Sequence, residues 1–315
     1  MIPSLFTAIP ASIARFFALF FALASVMVFA LAFALSASAQ QTRLADPAPG
    51  SDWPGITWVA GSAIEGGMIL VRLAPGASLT LDGAPLPMTD DGHALIGFHR
   101  DSDTPIALVV RLRDGTRHSI TLMAEQRDYA VQRIDGLKRD HVTPPKAVLD
   151  RIGADSAAVR AARTYSDAGA PAGDFAGDFL RGFDMPVTGR ITGVYGSQRI
   201  LNGEARQPHY GIDIAAPRGT PVIAPAGGRV TLVRDLYFSG WTVLMAHGLG
   251  LNSAFLHLDS VTVTEGEAVE RGAVIGTVGS TGRSTGPHLD WRLDWQGRRL
   301  DAALVRRQLA GLTAE

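Results

Sequence analysis

The chain has 315 residues, and at about 150 residues per domain this length predicts about two domains. It carries 29 basic and 30 acidic side chains, and a net charge of −1 argues against a nucleic-acid-binding protein, which would show a basic excess. The chain contains no Cys, which excludes disulfides, thiol nucleophiles and thiolate metal sites, so any metal must be held by His and carboxylates.

The first 39 residues predict export from the cytoplasm. They contain one charge, Arg15, followed by an apolar run from Phe16 to Leu35 that is long enough to span a bilayer. The run ends at Ala37-Ser38-Ala39, which fits a signal-peptidase site. We therefore favour a cleaved signal peptide over residues 1–39, with a retained membrane anchor as the alternative. Either form sends the protein to the periplasm or envelope of a bacterium, and contact with a membrane is expected only through an uncleaved segment.

Residues 40–52 read as a linker, and residues 53–143 predict a small N-terminal β-sandwich-like domain. Apolar stretches at 68–73, 78–81, 106–110 and 119–122 alternate with turn signals such as Asp82-Gly83. The histidines of this region have no tight ligand spacing, so we interpret them as surface or strand residues: His93, His99, His118 and His141. We assign this domain no chemistry, although it could dock an envelope protein partner.

Residues 144–182 predict a connector, with one or two short helices over 144–168 and a Gly-rich loop from Gly169 to Gly182. From residue 183 to 300 the chain is again strand-like, and a short helix is expected at about 301–309 in the tail 301–315. The expected fold class is therefore mainly β.

The segment from His288 to Trp295 alternates strictly between polar and apolar residues, which predicts a strand with its apolar face in the core and its polar face outward. His288 and Asp290 then project side by side, about 6–7 Å apart. One of them could ligate a metal while the other reaches a water molecule. Taken alone, however, this segment is more simply a solvated polar face.

Two further segments carry candidate residues. His209 and Asp213 stand four apart, a separation of about 13 Å on a straight strand, and a bend with positive φ at Gly211 could bring them together. His257 lies in a predicted strand, and taken alone it would more often be a hydrogen-bonded sheet residue. His247 precedes a turn and is interpreted as structural.

In this order and spacing, these segments resemble the LytM/lysostaphin-type zinc endopeptidases, which cut peptide bonds in bacterial peptidoglycan. The resemblance covers residues 183–298 and does not reach the N-terminal β domain. It is carried by five matches: Gly193-Val194-Tyr195-Gly196, His209-x-x-x-Asp213, Gly219–Gly228, His257-Leu258, and the Gly/Ser-rich loop from Gly279 into His288-Leu289-Asp290.

The resemblance implies a compact LytM-like β domain with an open groove and one zinc ion. His209, Asp213 and Asp290, the last residue of the final motif, would bind the metal. His257 and His288 would be catalytic, helping zinc to activate a water molecule and steadying the oxyanion. The implied substrates are peptidoglycan peptides.

Asp290 departs from the family pattern, which has a second His at this position. A carboxylate is an acceptable zinc ligand at about 2.0–2.2 Å. Zinc with one His and two carboxylates is formally neutral, however, whereas two His and one carboxylate leave it at +1. We therefore expect a competent but slower or differently tuned site, at which Mn²⁺ could compete better. Asp290→Ala should lose metal, and Asp290→His should keep or raise activity.

Two other functions stay open. A degenerate relative could bind the wall, or activate another hydrolase, without catalysis. A metal-free envelope scaffold would account for the N-terminal half, but it would not explain why the five polar motif residues occur together: His209, Asp213, His257, His288 and Asp290. We favour the enzyme, because four of the five motif positions keep the family's residue and the fifth, Asp290, can still bind metal.

Overall fold

The computed structural model describes residues 52–136, 144–167, 177–310 and 312, and over these residues the fold is mainly β, as predicted. The predicted signal peptide 1–39 and nearly all of the linker 40–52 lie outside the described residues. Among the helices that the structure describes, none is both long enough and apolar enough to cross a bilayer.

The N-terminal region folds into two antiparallel sheets, and their strands follow the predicted apolar stretches closely. The first sheet has the order β1-β2-β3-β6, with bounds Asp52–Trp53, Ile56–Gly61, Met68–Leu73 and His93–Gly97. The second has the order β5-β4-β7-β8, with bounds Ala84–Pro85, Ser78–Leu81, Ile106–Arg111 and Arg117–Leu122. Their inner faces share a core that includes Leu70, Ile96, Leu108 and Val110, so the β-sandwich prediction is confirmed.

The next strand links this region to the segment that carries the first candidate histidine. β9 (Val131–Ile134) pairs in parallel with β11 (Gln198–Leu201), which pairs in turn with β12 (Glu204–Ala205). The predicted connector contains a 3₁₀ turn at Lys146–Val148 and helix α1 at Leu149–Asp167. α1 packs against three strands of the large C-terminal sheet, which covers part of one face of that sheet.

The C-terminal region is built on one large sheet with the order β10-β13-β20-β17-β16-β15-β18. These strands span Arg190–Gly193, Ile212–Ala215, His288–Trp295, Leu251–Val261, Gly240–Gly248, Gly228–Leu236 and Ala268–Val269. Beside this path lie β14, β19 and β21, at Pro221–Ile223, Val274–Val278 and Arg298–Leu300. Trp291 and Trp295 of β20 are fully buried, so this strand runs through the core.

The predicted C-terminal helix is present as α2 (Ala302–Gln308). Asp301 caps its N-terminus, where its carboxylate accepts the backbone N–H groups of Ala303 and Leu304. Buried side chains from both sides of the connector, such as Ile96 and Trp291, belong to one hydrophobic cluster. The division into domains at residues 53–143, 144–182 and 183–300 stays a prediction.

His247 lies in the core of the large sheet, in line with its structural interpretation. Its Nδ1 donates to the Gly227 carbonyl at 2.8 Å, and its Nε2 accepts from the Ser253 hydroxyl at 2.8 Å. Complete burial lowers the pKa of His247 to about 4, because the uncharged ring is the form that the core tolerates.

This buried ring predicts a loss of stability in mild acid. Below pH 6.5 the unfolded chain binds a proton at His247 that the folded chain does not, so the free energy of unfolding falls as the pH drops toward 4. We expect about 2–3 kcal/mol of loss from this group between pH 7 and pH 4.5. Denaturant unfolding of wild type and His247→Gln at both pH values measures it. An equal pH dependence in the two proteins would contradict the assignment.

Candidate metal centre

Two carboxylates face each other across neighbouring strands of the large sheet. Asp213 of β13 is the register partner of Asp290 of β20. Asp290 is only 2% exposed. Like charges directly opposite each other destabilise a sheet, and a buried carboxylate requires a positive partner. The pairing therefore calls for a cation between or beside the two groups.

His209 brings its imidazole to both carboxylates. Its Nε2 lies 3.0 Å from Asp213 Oδ1 and 3.4 Å from Asp290 Oδ2, and the ring is buried. The backbone of His209 is fixed by the preceding loop: its carbonyl accepts from Gly196 N–H at 2.7 Å, and its N–H donates to the Ser197 carbonyl at 2.9 Å. This loop thus sets the direction in which the imidazole points.

Two glycines leave the space that the carboxylates occupy. A Cβ on Gly211 would lie 2.2 Å from Asp290 Oδ1, and a Cβ on Gly193 would lie 2.1 Å from Asp213 Oδ2. The expected bend with positive φ at Gly211 is wrong, since this glycine is not among the residues with positive φ. The irregular segment before β13 brings His209 and Asp213 together, and Gly211 contributes room instead.

His209, Asp213 and Asp290, which we call the donor triad, fit a zinc ion. Each offers one ligand atom, and these atoms lie within 4.8 Å of one another. Tetrahedral zinc with ligands at about 2.0–2.1 Å places neighbouring ligand atoms about 3.4 Å apart. The separations of 3.0 and 3.4 Å from His209 Nε2 are close to this spacing. The missing side chains of Gly193 and Gly211 leave room for the carboxylates of Asp213 and Asp290, which lets both carboxylates approach His209.

An arginine contacts each carboxylate of the donor triad. Arg292 Nε lies 3.0 Å from Asp290 Oδ1 and 3.1 Å from Oδ2, and its Nη2 lies 2.6 Å from Oδ2. Arg199 Nη2 lies 3.4 Å from Asp213 Oδ2, a single and longer contact. The guanidinium fork of Arg292 is thus the stronger partner, because it grips both oxygens of one carboxylate.

These contacts shift the pKa values in the centre. Burial by itself would raise the pKa of Asp290, but Arg292 and His209 together hold it well below its usual range. Burial likewise opposes the charged form of His209, but hydrogen bonds to Asp213 and Asp290 raise its pKa overall. Asp290 is therefore a carboxylate at neutral pH, the form in which it can bind a metal.

His257 and His288 lie beside each other, with ring centroids 4.9 Å apart. His257 Nδ1 is 2.8 Å from the Thr281 carbonyl, and His288 Nδ1 is 2.8 Å from the Gly286 carbonyl. Because a carbonyl only accepts, each Nδ1 carries the hydrogen and each Nε2 is left as a proton acceptor. His288 Nε2 lies 3.8 Å from Asp213 Oδ1, next to the donor triad. Burial lowers the pKa of His257, so that ring stays neutral.

The backbone at His257 is unusual for a strand residue. This position has a φ of 64°, which residues other than glycine rarely adopt, and it lies where the pairing of β17 with β16 is irregular, between Phe255 and Leu258. Its N–H donates to the Ser239 carbonyl at 2.8 Å. Irregularities of this kind redirect a side chain, and they cluster at functional sites. The strand prediction around His257 holds, but regular alternation does not set the direction of its ring.

The strand from His288 to Trp295 has the predicted bounds, but the expectation that its polar face points outward is wrong at two positions. Asp290 and Asp294 are only 2% and 3% exposed. Asp294 Oδ1 lies 3.0 Å from the Arg163 Nε of α1. Helix α1 therefore covers part of this face, and the sequence pattern alone contains no sign of that packing.

Sequence reasoning did not include Arg199 or Arg292 among the site residues. Arg292 follows Asp290 by two positions in an alternating strand, and this same-face spacing could have indicated their contact. Arg199 approaches Asp213 only through the tertiary arrangement of β11, so no local pattern could have revealed it.

The remaining histidines lie elsewhere. His93 and His118 lie in β6 and β8, and His99 Nδ1 accepts the backbone N–H of Arg299 at 3.0 Å. Among the described residues, the donor triad is the one group of His and acidic side chains spaced to hold a metal. His141 lies outside the described residues.

Comparison with known proteins gives consistent matches. The model of peptidase family M23 matches residues 207–302, a range that contains the donor triad, His257 and His288. A solved structure from Pseudomonas aeruginosa, which is named as an M23 peptidase, is 30% identical, and the match covers 80% of this chain and 96% of that chain with a TM-score of 0.58.

Curated relatives match over the C-terminal region. Peptidoglycan DD-endopeptidase ShyA of Vibrio cholerae is 42% identical over 95 residues, which is 30% of this chain and 22% of that protein. DD-carboxypeptidase/endopeptidase Mpg of Neisseria meningitidis is 43% identical over 97 residues, which is 31% of this chain and 22% of that protein. The matched part thus spans about a fifth of the length of these relatives.

Proposed function

The chain belongs to peptidase family M23, and on this premise we propose that it is a zinc-dependent endopeptidase that hydrolyses peptide bonds in bacterial cell-wall peptidoglycan. The observation that carries the proposal is the convergence of the donor triad with two imidazoles, His257 and His288. The names of ShyA and Mpg support the substrate class.

The donor triad would hold the metal through His209 Nε2 and one oxygen each of Asp213 and Asp290. When bound, zinc polarises a peptide carbonyl and lowers the pKa of water to about 7. The carboxylates keep the donor set anionic, which suits a divalent cation. Competition by Mn²⁺ stays a prediction that rests on the oxygen-rich donor set.

The two imidazoles would move the protons of the reaction. Nε2 of His288, the ring nearest Asp213, is available to accept the proton of the attacking water as its oxygen bonds to the peptide carbon. That proton then passes to the leaving amine nitrogen as the C–N bond breaks. His257, neutral at rest, is the second acceptor: it would take up the second proton of the attacking water at Nε2 and, once it carries that proton, donate a hydrogen bond to the oxyanion.

One observation favours a second function, that of a non-catalytic wall-binding protein or an activator of another hydrolase. Arg292 grips both oxygens of Asp290, so the pair could persist as a structural ion pair without a metal. We favour the enzyme, because a structural ion pair between Arg292 and Asp290 does not account for two adjacent imidazoles beside the donor triad.

We further propose that the protein acts in the periplasm or cell envelope after export by its N-terminal segment. Its partners would be peptidoglycan peptides, and an envelope protein could dock on the N-terminal β region. This export proposal rests on the apolar run of residues 16–35 and the Ala37-Ser38-Ala39 site.

Digestion of purified peptidoglycan sacculi by the full chain tests the proposed activity. We expect new peptide termini, identified by mass spectrometry, that disappear after treatment with a chelator and return when zinc is added. His118→Ala, a change on β8 far from the donor triad in sequence, should cleave like the wild type. If the zinc-loaded protein releases no peptide but still sediments with sacculi, the wall-binding function is the better account.

A further inference from the structure

Arg292 is anchored on a single carboxylate next to the donor triad. Within the described residues, the contacts that the structure gives its guanidinium are with the two oxygens of Asp290, at 2.6–3.1 Å. The Asp290 side chain is 3% exposed, and the Arg292 side chain is 28% exposed. A charged fork held this way leaves little freedom to either partner.

This contact changes the charge count of the centre. Asp290 stands where the LytM/lysostaphin-type pattern has a neutral His, so it adds one negative charge. Arg292 adds one positive charge directly against it, and the pair is neutral, as an imidazole is. Zinc with the donor triad and Arg292 therefore sums to +1, the value for two His and one carboxylate. The expectation of a formally neutral centre omitted Arg292.

We propose that Asp290 and Arg292 act as one unit, a net-neutral ligand in which Arg292 is a positioning residue that fixes the carboxylate and offsets its charge. The inference rests on the metal centre of the proposed function. As a consequence, Asp290→His alone leaves the Arg292 cation beside the metal without its carboxylate partner. Restoring the family's residue should then weaken metal binding, which reverses the expectation from sequence that this change would keep or raise activity.

Arg199 provides a matched control within the same centre. Its side chain is 29% exposed, nearly the same as that of Arg292, and it also contacts a carboxylate of the donor triad. Its contact is a single one at 3.4 Å, and its partner Asp213 remains in place when Asp290 is replaced. Removing the Arg199 charge should therefore not compensate for a change at Asp290.

The test is zinc affinity, measured by competition with a chromophoric chelator, for the wild-type full chain and four variants. Asp290→His should bind zinc about tenfold or more weakly than Asp290→His/Arg292→Gln, since neighbouring groups couple by up to about 150-fold. Arg292→Gln alone should still bind zinc, because the Asp290 carboxylate remains as a ligand. Asp290→His/Arg199→Gln should stay as weak as Asp290→His. Wild-type affinity in Asp290→His, or equal recovery with Arg199→Gln, overturns the proposal.

A second variant keeps the proposal testable if Asp290→His does not fold. Asp290→Asn removes the same charge at nearly the same volume, and in metal-free protein it should lower the melting temperature by leaving the Arg292 charge without a partner. Adding Arg292→Gln should recover most of that loss, and no recovery overturns the proposal. The melting temperatures are measured without metal. If the wild type binds no zinc, the proposed function is refuted, but the melting temperatures of the variants still test the pairing of Asp290 with Arg292.

Discussion

Gly211→Ala should greatly weaken zinc binding while the chain stays folded. The added Cβ would lie 2.2 Å from Asp290 Oδ1 and 2.7 Å from Arg292 Cγ, far inside van der Waals contact. The Asp290 carboxylate would have to leave its place against His209, and the donor triad would lose one of its ligands. The Cβ would also lie 2.9 Å from the backbone carbonyl oxygen of Trp291 in β20, but this overlap is smaller than those with the two side chains, so most of the sheet core should persist. We expect about a 100-fold loss of zinc affinity, at the upper end for changes that misplace a ligand.

Gly153→Ala is the matched control, because apart from the local backbone of α1 no atom lies within 4 Å of a Cβ built at this glycine. It should bind zinc like the wild type and be slightly more stable, since Ala favours a helix over Gly. Gly193→Ala should resemble Gly211→Ala, because its Cβ would lie 2.1 Å from Asp213 Oδ2. Wild-type zinc affinity in a folded Gly211→Ala protein would show that Asp290 is not a ligand at the position described.

His288→Ala should keep its zinc and lose turnover. The His288 ring adjoins the donor triad without belonging to it, with its Nδ1 hydrogen given to the Gly286 carbonyl and its Nε2 3.8 Å from Asp213 Oδ1. Removing a positioned general acid or base costs about 10²–10⁴-fold in rate. We expect a fall of that size in kcat for release of peptides from sacculi, with zinc content unchanged.

The contrasting variant is His209→Ala, which removes a donor and should lose zinc and turnover together. A His288→Ala protein that turns over at the wild-type rate would exclude the acid–base role. If it instead lost its zinc, His288 would have to be counted among the ligands.

The fold was largely predictable because its apolar stretches are separated by turn residues, and because one segment alternates between polar and apolar residues. The apolar stretches at 68–73 and 78–81 and the alternating segment from His288 to Trp295 have the bounds that the sequence predicts. The direction of the polar face was not predictable in this way. Asp290 and Asp294 are buried because other elements, such as α1 with Arg163, pack over that side of the sheet. A sequence pattern distinguishes two faces of a strand, but it does not say that both are covered.

The centre was less predictable from residues alone. His209 and Asp213 were expected to meet through a bend with positive φ at Gly211. In the structure an irregular segment before β13 brings them together, and the absence of a side chain at Gly211 leaves room for the Asp290 carboxylate. The opposition of Asp213 and Asp290 depends on the register of β13 and β20, which lie far apart in sequence. The family resemblance predicted that His209, Asp213 and Asp290 form one centre. It did not predict the ion pair in which Arg292 offsets the charge of Asp290.

The most direct test of the central claim is the zinc content of the purified protein, measured by mass spectrometry on the wild type beside Asp290→Ala. The account predicts about one zinc per wild-type chain, held by the donor triad, and almost none in the variant. A wild type that stays free of zinc after incubation with the metal would contradict the claim, as would an Asp290→Ala protein with full occupancy.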